Sequence, residues 1–161
     1  TGDDKGVLRI FEYDPSNIAS HAGQRLLCRT EYHAGSESIA TMLFAKHSLN
    51  EDPKQNGILF GGIDGSLYTL VPVRDAVFRR LQSLQVTMSR HVLHFGGLNP
   101  RGYRMVKNDT VSRAITKGIL DGDLLARFEY LAVDVQTELA LNCGTDVDTV
   151  LANLRNLRVY E

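Results

Sequence analysis

Cysteine is scarce in this chain, since only Cys28 and Cys143 occur among its 161 residues. The two have neither the Cys-x-x-Cys spacing of a redox or zinc motif nor the density of a small disulfide-stapled domain. A few cysteines without disulfide or metal-binding spacing are typical of proteins in a reducing compartment. The cysteine content therefore favours two ordinary thiols over a disulfide.

Long apolar runs are also missing. No stretch approaches the roughly 20 consecutive apolar residues that a membrane-spanning helix needs, and no secretory signal pattern opens the sequence. The hydrophobic fraction of 43% is nevertheless ordinary for a folded domain, so wholesale disorder is not expected. Because the first residue is Thr1 and a strand-like run follows at once, we expect a fragment of a longer chain.

Signatures of catalysis are absent as well. The sequence has no Gly-x-Ser-x-Gly, no His-Glu-x-x-His, no kinase-type catalytic loop and no cysteine–histidine protease signature. Asp121 and Asp123 form a close carboxylate pair, which can serve acid–base chemistry, but helix capping accounts for both residues. We therefore expect no catalytic residues, no cofactor and no enzyme activity.

Metal and phosphate sites have weak support in the sequence. His91 and His94 lie three residues apart at the end of a predicted helix, without cysteine or carboxylate partners at metal-ligand spacing. The glycine-rich stretch 61–65 resembles a phosphate cradle, but it lacks the following helix and the Lys-Ser/Thr pair of a P-loop. We expect no metal site, and a turn at residues 61–65.

The net charge of −1 conceals an uneven distribution. Residues 1–73 carry a net charge of −3, residues 74–107 carry +6, and residues 109–161 carry −4. A basic centre between acidic ends suits an acidic partner or a phosphate backbone. It equally suits the acidic segments of its own chain, and both interpretations stay open.

The first part of the chain has the pattern of β-strands. Runs rich in strand-forming residues cover 6–13, 25–34 and 39–44, while the polar stretch 46–56 predicts a surface loop. The clearest signal is Asp64-Gly65, which separates two apolar runs. This dipeptide predicts a hairpin with a two-residue loop and positive φ angles. Because the runs are nearly continuous, we expect both faces of the hairpin to be covered.

After Pro72 the hydrophobic period becomes helical. A helix over about residues 75–92 is predicted by five apolar residues at helical spacing: Val77, Leu81, Leu84, Met88 and Val92. The basic residues of this segment, including Arg79 and Arg80, lie mainly elsewhere around the helix.

Residues 95–107 contain three glycines and a proline, which predict a shaped loop. Arg101, Tyr103 and Arg104 in this loop, together with Arg79 and Arg80, are our candidates for contact with a partner or with RNA. The arginines can equally bond helix ends or acidic side chains within the fold. One aromatic residue and two arginines fall short of an RNA-binding module, which favours the internal role.

From Asp109 onward the pattern is helical. We expect Asp109 or Thr110 to cap a first helix, Asp134 to cap a further helix that ends at Cys143-Gly144, and Thr145 to begin a capping-box-like sequence. The last two helices have the spacing of a DNA-binding helix-turn-helix. Two carboxylates at its tip would repel the DNA backbone, so this element predicts packing or protein interaction instead.

The stretch Asp121-Gly122-Asp123 interrupts this helical region between two aliphatic pairs. Asp121 can accept backbone N–H bonds as an N-cap, and Asp123 then lies in the first turn, where negative charge suits the helix dipole. Gly122 allows the backbone to bend. The three residues predict a structural joint between two packed helices, and Gly122→Val is expected to destabilise the helical domain.

Taken in order, these motifs resemble the CPSF-A family, in the C-terminal region of the large propeller subunit of the cleavage and polyadenylation specificity factor. The resemblance covers the chain from about Arg25, and five motifs carry it: the Asp-Gly hairpin with Pro72, Phe78–Gln85, Gly97–Arg104, Ile119–Phe128 and Glu138–Asp146. Related propeller subunits of a damaged-DNA-binding ubiquitin ligase and of the U2-associated splicing complex share the Asp-Gly-Asp-Leu joint. The Leu-Asn-Pro-Arg loop and the Arg-Leu…Leu-Gln helix are similar to the polyadenylation member.

The resemblance implies an α+β fragment. Residues 1–73 would be the last strands of the third seven-bladed β-propeller, and residues 74–161 a helical C-terminal domain that braces the propellers. It further implies a nuclear, non-catalytic scaffold in pre-mRNA 3′-end processing, with WD-repeat and zinc-finger subunits as partners. A ubiquitin-ligase adaptor, a splicing-complex scaffold and direct RNA binding through residues 74–107 stay open as alternatives.

Overall fold

The structure, a computed structural model, describes residues 1–35, 39–46, 56–106 and 118–157. Strands occupy the first part of the chain and helices the remainder, which gives a mixed α/β fragment with antiparallel strands. The α+β fold class is confirmed at this level. Among the described residues, no helix combines the length and the apolar character that crossing a bilayer requires.

The chain divides into two compact units. The first unit consists of three stretches: Thr1–Met42, Phe60–Tyr68 and Arg101–Ile119. The second unit consists of the remaining three: Leu43–Leu59, Thr69–Pro100 and Leu120–Glu161.

The first two strands form an antiparallel pair, β1 (Val7–Glu12) with β2 (Leu27–His33). Val7 lies opposite His33, and the register shifts once between Ile10 and Phe11, which marks a bulge. Both strands lie within the ranges predicted from their strand-forming residues, so those predictions are confirmed.

The other three strands form a second sheet in the order β3-β4-β5. They are β3 (Ile39–Lys46), β4 (Asn56–Gly62) and β5 (Leu67–Leu70). The strand predicted over 39–44 is confirmed, and residues 47–55 of the predicted surface loop lie outside the described residues.

The hairpin predicted at Asp64-Gly65 is confirmed, but its loop has three residues. The Gly62 N–H donates to the Ser66 carbonyl at 2.8 Å, and the Gly65 N–H donates to the Gly62 carbonyl at 3.1 Å. Only Gly65 in this loop has a positive φ, of 83°. This is a turn closed by a left-handed glycine. The prediction of a two-residue loop is therefore wrong.

The hairpin is also less covered than its apolar runs predict. Phe60 is buried and stacks on Tyr68 with ring centroids 5.2 Å apart, but Ile63 and Leu67 are exposed. The expectation of two covered faces is wrong at these positions, because no described part of the chain lies over them.

The helix predicted over 75–92 is confirmed as α1 (Asp75–His91). Leu81, Leu84 and Met88 are fully buried along one face of it. Within the stretch predicted to be a loop, a 3-10 turn spans Phe95–Gly97 and a single helical turn forms α2 (Pro100–Tyr103).

Three further helices belong to the second unit: α3 (Gly122–Ala126), α4 (Val133–Asn142) and α5 (Val147–Arg155). The core of this unit joins α1 to all three helices through ten buried residues: Leu81, Leu84, Met88, Leu124, Leu125, Phe128, Leu139, Ala140, Val150 and Leu154. Each large aliphatic side chain buried in this way contributes about 1.5–3 kcal/mol, so packing of these helices is the main source of the unit's stability.

Two predicted caps are displaced, by two residues at α4 and by one residue at α5. Ala132, not Asp134, is the N-cap of α4, and no side chain caps this helix. Its start is instead set by Gln136, whose N–H donates to the Ala132 carbonyl and whose side chain donates to the Phe128 carbonyl at 2.8 Å. At α5 the N-cap is Asp146, which follows Thr145. The caps predicted at Asp109 or Thr110 lie outside the described residues.

Candidate interaction site

The arginines of α1 have carboxylate neighbours within the second unit. Arg79 is exposed, and its Nη2 lies 2.6 Å from the Asp75 carboxylate one turn earlier. Exposed pairs at this helical spacing contribute about 0.3–0.5 kcal/mol. Arg80 is half-buried and acts electrostatically on Asp146, the N-cap of α5. The basic helix thus meets an acidic residue of its own chain.

Arg104 lies within the first unit and is only 8% exposed. Its Nη1 donates to the carbonyl of His33 at 3.3 Å and to the carbonyl of Ala34. The His33 N–H in turn donates to the Arg104 carbonyl at 3.1 Å. A cationic donor shared by two carbonyls is a strong hydrogen-bond arrangement, so Arg104 fastens its segment to the end of β2.

Two aromatic rings flank the same guanidinium. The Arg104 Cζ lies 5.2 Å from the centroid of the Tyr32 ring and 5.1 Å from that of Tyr103. Both distances are within the range of cation–π attraction. Arg101 and Tyr103 lie on the exposed side of α2. Of the sequence-derived candidates in this unit, Arg101 and Tyr103 are thus exposed to solvent, whereas Arg104 is buried and bonded to backbone carbonyls of its own chain.

A shallow depression of about 490 Å³ lies beside this cluster. It is lined by residues near the N-terminus and by the segment that follows α2, including Asp3, Arg9, His33 and Tyr103. Two of its charged side chains are paired, because Arg9 donates to Asp3 at 2.8 Å and also to Glu31 at 2.9 Å. Arg9 and Asp3 therefore offer little unbalanced charge to a ligand.

Asp3 is held in its charged form by this network. Burial acts to raise the pKa of Asp3, but donation from the Val7 N–H, from Arg9 and from the Lys5 N–H outweighs burial and lowers the pKa below its ordinary value. A carboxylate that accepts several hydrogen bonds is stabilised in this way.

The five candidate contact residues divide between the two units. Arg79 and Arg80 belong to the second unit, whereas Arg101, Tyr103 and Arg104 belong to the first. Arg79 and Arg80 both lie on α1. Arg101 and Tyr103 lie on α2, and Arg104 follows α2 directly.

The cap predicted at Asp121 is confirmed. Its carboxylate accepts the N–H of Asp123 at 3.1 Å and that of Leu124 at 3.3 Å, and Asp123 lies in the first turn of α3. The Asp121 N–H itself donates to the side-chain oxygen of Gln85 on α1 at 2.6 Å. Sequence reasoning missed Gln85 as a structural residue, because a polar residue on a basic helix carries no local signal of such a contact.

Neither backbone conformation nor close packing requires glycine at position 122. Its φ lies outside the left-handed region, and a Cβ placed there would meet no described heavy atom within 4 Å. The structure gives no steric reason for glycine at this position. The role of the three residues as a joint between two helices stays a prediction, because residues 107–117 lie outside the described part.

No cluster of three or more His, Cys, Asp or Glu residues at metal-binding distance occurs within the described ranges. His91 is the last residue of α1, and the His94 Nε2 lies 3.1 Å from the Ser89 carbonyl oxygen. The Asn99 side chain donates to the same carbonyl at 2.8 Å. His94 and Asn99 thus bond the last turn of α1, whose terminal carbonyls lack helical partners.

Comparison with known proteins adds to this geometry. A family model described as "CPSF A subunit region" matches residues 1–130. Protein cft1 of Schizosaccharomyces pombe is 35% identical over 162 residues, which cover 96% of this chain and 11% of that protein.

Two plant proteins are similar over the same region. The probable cleavage and polyadenylation specificity factor subunit 1 of Oryza sativa subsp. japonica is 35% identical over 159 residues, covering 96% of this chain and 11% of its own length. Cleavage and polyadenylation specificity factor subunit 1 of Arabidopsis thaliana is 34% identical over 159 residues, with 98% and 11% covered. The chain thus spans about a tenth of the length of these curated relatives. Because the family model matches most of it, the chain belongs to the CPSF A subunit family.

Proposed function

We propose that this region acts in a non-catalytic scaffold subunit of the nuclear machinery for pre-mRNA 3′-end cleavage and polyadenylation. The observation that carries the proposal is identity of 34–35% over nearly the whole chain to proteins named as subunit 1 of the cleavage and polyadenylation specificity factor. A ubiquitin-ligase adaptor and a splicing-complex scaffold are less favoured, because the relatives compared carry the polyadenylation name.

In this proposal residues 1–73 supply the last strands of a seven-bladed β-propeller, and residues 74–161 form a helical domain that braces propellers. The exposed Leu67 of β5 supports the first part, because a large apolar side chain exposed on a strand is typical of a surface that a further element covers. The buried core of α1, α3, α4 and α5 supports the second part, because such a core makes a stiff brace.

The partners in this proposal are other subunits of the machinery, including WD-repeat and zinc-finger proteins. The exposed candidates Arg79, Arg101 and Tyr103 would contact them. Arg104 would hold the Tyr103 ring in place from a buried position, and the half-buried Arg80 would contribute positive charge beside Arg79. Arg and Tyr are enriched among the residues that contribute most to protein interfaces, which fits this assignment.

Affinity purification of the full-length protein from nuclei, followed by mass spectrometry, tests the function. We expect cleavage and polyadenylation factors in stoichiometric amounts. Recovery of cullin or U2 components without polyadenylation factors would reject the proposal in favour of one of the related scaffolds.

Direct RNA contact is a second candidate, favoured by the net charge of +6 over residues 74–107. It predicts RNA binding by the assembled subunit that weakens steeply with salt and that weakens further in the variants Arg79→Ala and Arg101→Ala. Salt-insensitive binding, or no binding, would remove this candidate and leave protein contact as the role of the basic segment.

A further inference from the structure

The outer face of α4 presents apolar side chains to solvent. Val133 and Leu141 are 74% and 69% exposed, and Tyr130, just before the helix, is 85% exposed. Val133, Thr137 and Leu141 are four residues apart and therefore lie along one side of the helix. We call Tyr130, Val133, Thr137 and Leu141 the α4 stripe.

The α4 stripe is not required by the core of its own unit. The inward face of α4 packs through Gln136, Leu139 and Ala140, which are buried. Neither Val133 nor Leu141 belongs to this core, and Tyr130 also lies outside it. Large apolar residues that share one exposed side are typical of an interaction surface.

The surroundings of the α4 stripe are acidic. Residues 128–154 contain no Lys, Arg or His and carry five carboxylates: Glu129, Asp134, Glu138, Asp146 and Asp148. Asp134 and Glu138 each follow a stripe residue, so they lie about 100° further around the helix and form one rim of the stripe. Both are exposed.

A depression of about 520 Å³ adjoins the α4 stripe at its C-terminal end. Its lining consists of Thr137, Ala140, Leu141, Gly144, Thr145, Asp146 and Val147. Most of its lining is apolar, so the stripe continues into a recess that can receive a side chain. The surface therefore combines an apolar track, an apolar recess and acidic borders.

We infer that the α4 stripe docks a basic amphipathic helix of a protein partner, with the partner's apolar side chains on Val133 and Leu141 and its Lys or Arg residues on Asp134 and Glu138. A helix laid into an apolar groove is a recurrent mode of recognition. Opposite charges at the rim steer such a partner and fix its orientation.

The charge on this surface disfavours two other occupants. A second copy of the chain in a symmetric contact would place the same carboxylates against each other, and like charges at an interface cost free energy. A nucleic acid would bring its phosphates to the carboxylates of residues 128–154, a segment that contributes no Lys, Arg or His, although phosphate neutralisation supplies most of nucleic-acid affinity.

The inference rests on the proposed function, because it describes one docking site of the scaffold, but its test is separate. The probe is a synthetic 18-residue amphipathic helix with leucines along one face and lysines and arginines on the other. The control peptide keeps the leucine face and replaces every basic residue by glutamate. Binding of each to the full-length protein is measured by fluorescence anisotropy.

We expect the basic peptide to bind at least tenfold more tightly than the acidic one. Leu141→Ser and the double variant Asp134→Lys, Glu138→Lys should each weaken the basic peptide at least tenfold. Leu93→Ser is the matched control, since Leu93 is 96% exposed in the same unit and lies outside the stripe, and it should leave binding unchanged. All four substituted positions are exposed, so each variant should remain folded, which thermal unfolding checks. Asp134→Lys places a positive charge in the first turn of α4 and should lower stability by about 1 kcal/mol at most.

Equal binding of the two peptides, no binding, or an equal loss in Leu93→Ser would overturn the inference. A photo-cross-linking amino acid at position 137 provides a second measurement in the assembled complex. Cross-links to a basic helix of another subunit support the inference, whereas cross-links within the same chain show that the stripe packs internally and reject it. Neither rejection affects the recovery of polyadenylation factors by which the proposed function is judged.

Discussion

The side-chain oxygen of Gln85 accepts a 2.6 Å hydrogen bond from the backbone N–H of Asp121, 36 residues later in the chain. Asp121 is 4% exposed, and its carboxylate in turn accepts the N–H groups of Asp123 and Leu124. One residue thus caps α3 with its side chain and joins α3 to α1 with its backbone. This arrangement fixes where α3 starts on the surface of α1.

Gln85→Ala should destabilise the second unit by about 1–3 kcal/mol, because it leaves a buried N–H without an acceptor. Gln82→Ala is the matched control, since Gln82 is exposed on the same helix, and its effect should stay within about 0.5 kcal/mol. Chemical unfolding monitored by circular dichroism measures both. Equal effects of the two variants would contradict the role given to Gln85.

Asp121→Ala should destabilise α3 by about 1 kcal/mol, since two N–H groups of its first turn lose their acceptor. Asp121→Asn keeps an acceptor oxygen and should retain most of the stability. Hydrogen exchange of the amides of residues 122–126 reports the change locally. If exchange in Asp121→Ala matches the wild type, the carboxylate does not act as a cap.

Gly65→Ala should destabilise the hairpin by roughly 1 kcal/mol, because the φ of 83° is unfavourable for any residue with a Cβ. Gly122→Ala should leave stability unchanged or raise it by up to about 1 kcal/mol. Alanine fits the helical backbone at this position, and it lowers the conformational entropy of the unfolded chain. This replaces the sequence-based expectation that bulk at position 122 is harmful. Thermal unfolding of the two variants measures both effects. A larger loss of stability in Gly122→Ala than in Gly65→Ala would contradict the prediction.

Arg104→Ala should destabilise the first unit by about 2 kcal/mol, since the carbonyls of His33 and Ala34 lose a charged donor. Arg101→Ala is the exposed counterpart on the adjoining helix and should change stability by no more than about 0.5 kcal/mol. Unfolding in urea measures both. A role of Arg104 in partner contact alone would leave stability unchanged and weaken only binding.

The cap of α5 should make stability depend on pH in the acid range. Donation from the Thr149 hydroxyl and from its N–H lowers the pKa of Asp146 below its ordinary value of 3.8. Because the folded pKa is the lower one, the stabilisation is complete above pH 3.8 and is lost as the pH falls through the folded pKa. Thr149→Val removes the hydroxyl and should raise the pKa of Asp146, which a carboxyl NMR titration measures. If the titration midpoint of Asp146 is the same in Thr149→Val as in the wild type, the Thr149 hydroxyl does not lower the pKa of Asp146.

The elements that sequence predicted well are those whose signals are local. Helix α1 follows from the period of its apolar residues, the hairpin from Asp64-Gly65, and the cap of α3 from an aspartate before an aliphatic pair. Each of these signals depends on residues within a few positions of one another. Such interactions are the same in any tertiary context.

The sequence-based predictions are wrong where several neighbouring residues can each act as the N-cap of a helix. Asp134 and Thr145 are both suitable cap residues, but the observed N-caps are Ala132, two residues earlier, and Asp146, one residue later. At α4 the decision comes from Gln136, whose side chain bonds the Phe128 carbonyl of the preceding turn. A contact of this kind depends on how the chain turns before the helix, which residue preferences do not describe.

The candidate site was predictable as a set of residues but not as an arrangement. The cluster of arginines and Tyr103 is visible in the sequence, but the sequence alone does not separate the exposed Arg101 from the buried Arg104. The difference arises because Arg104 reaches carbonyls about 70 residues earlier in the chain. The exposure of Val133 and Leu141 likewise follows from the packing of Gln136, Leu139 and Ala140 on the opposite, inward face of α4.

The amino-acid sequence by itself determined the family, the order of strands and helices, and the acidic or basic character of each segment, because these depend on residue type and near neighbours. Tertiary structure alone decided that Gln85 receives the Asp121 N–H, that Arg104 is withdrawn from solvent, and that the α4 stripe is exposed. These outcomes depend on which distant segments pack together, and burial changes the free energy of a polar or apolar group far more than its neighbours in sequence do.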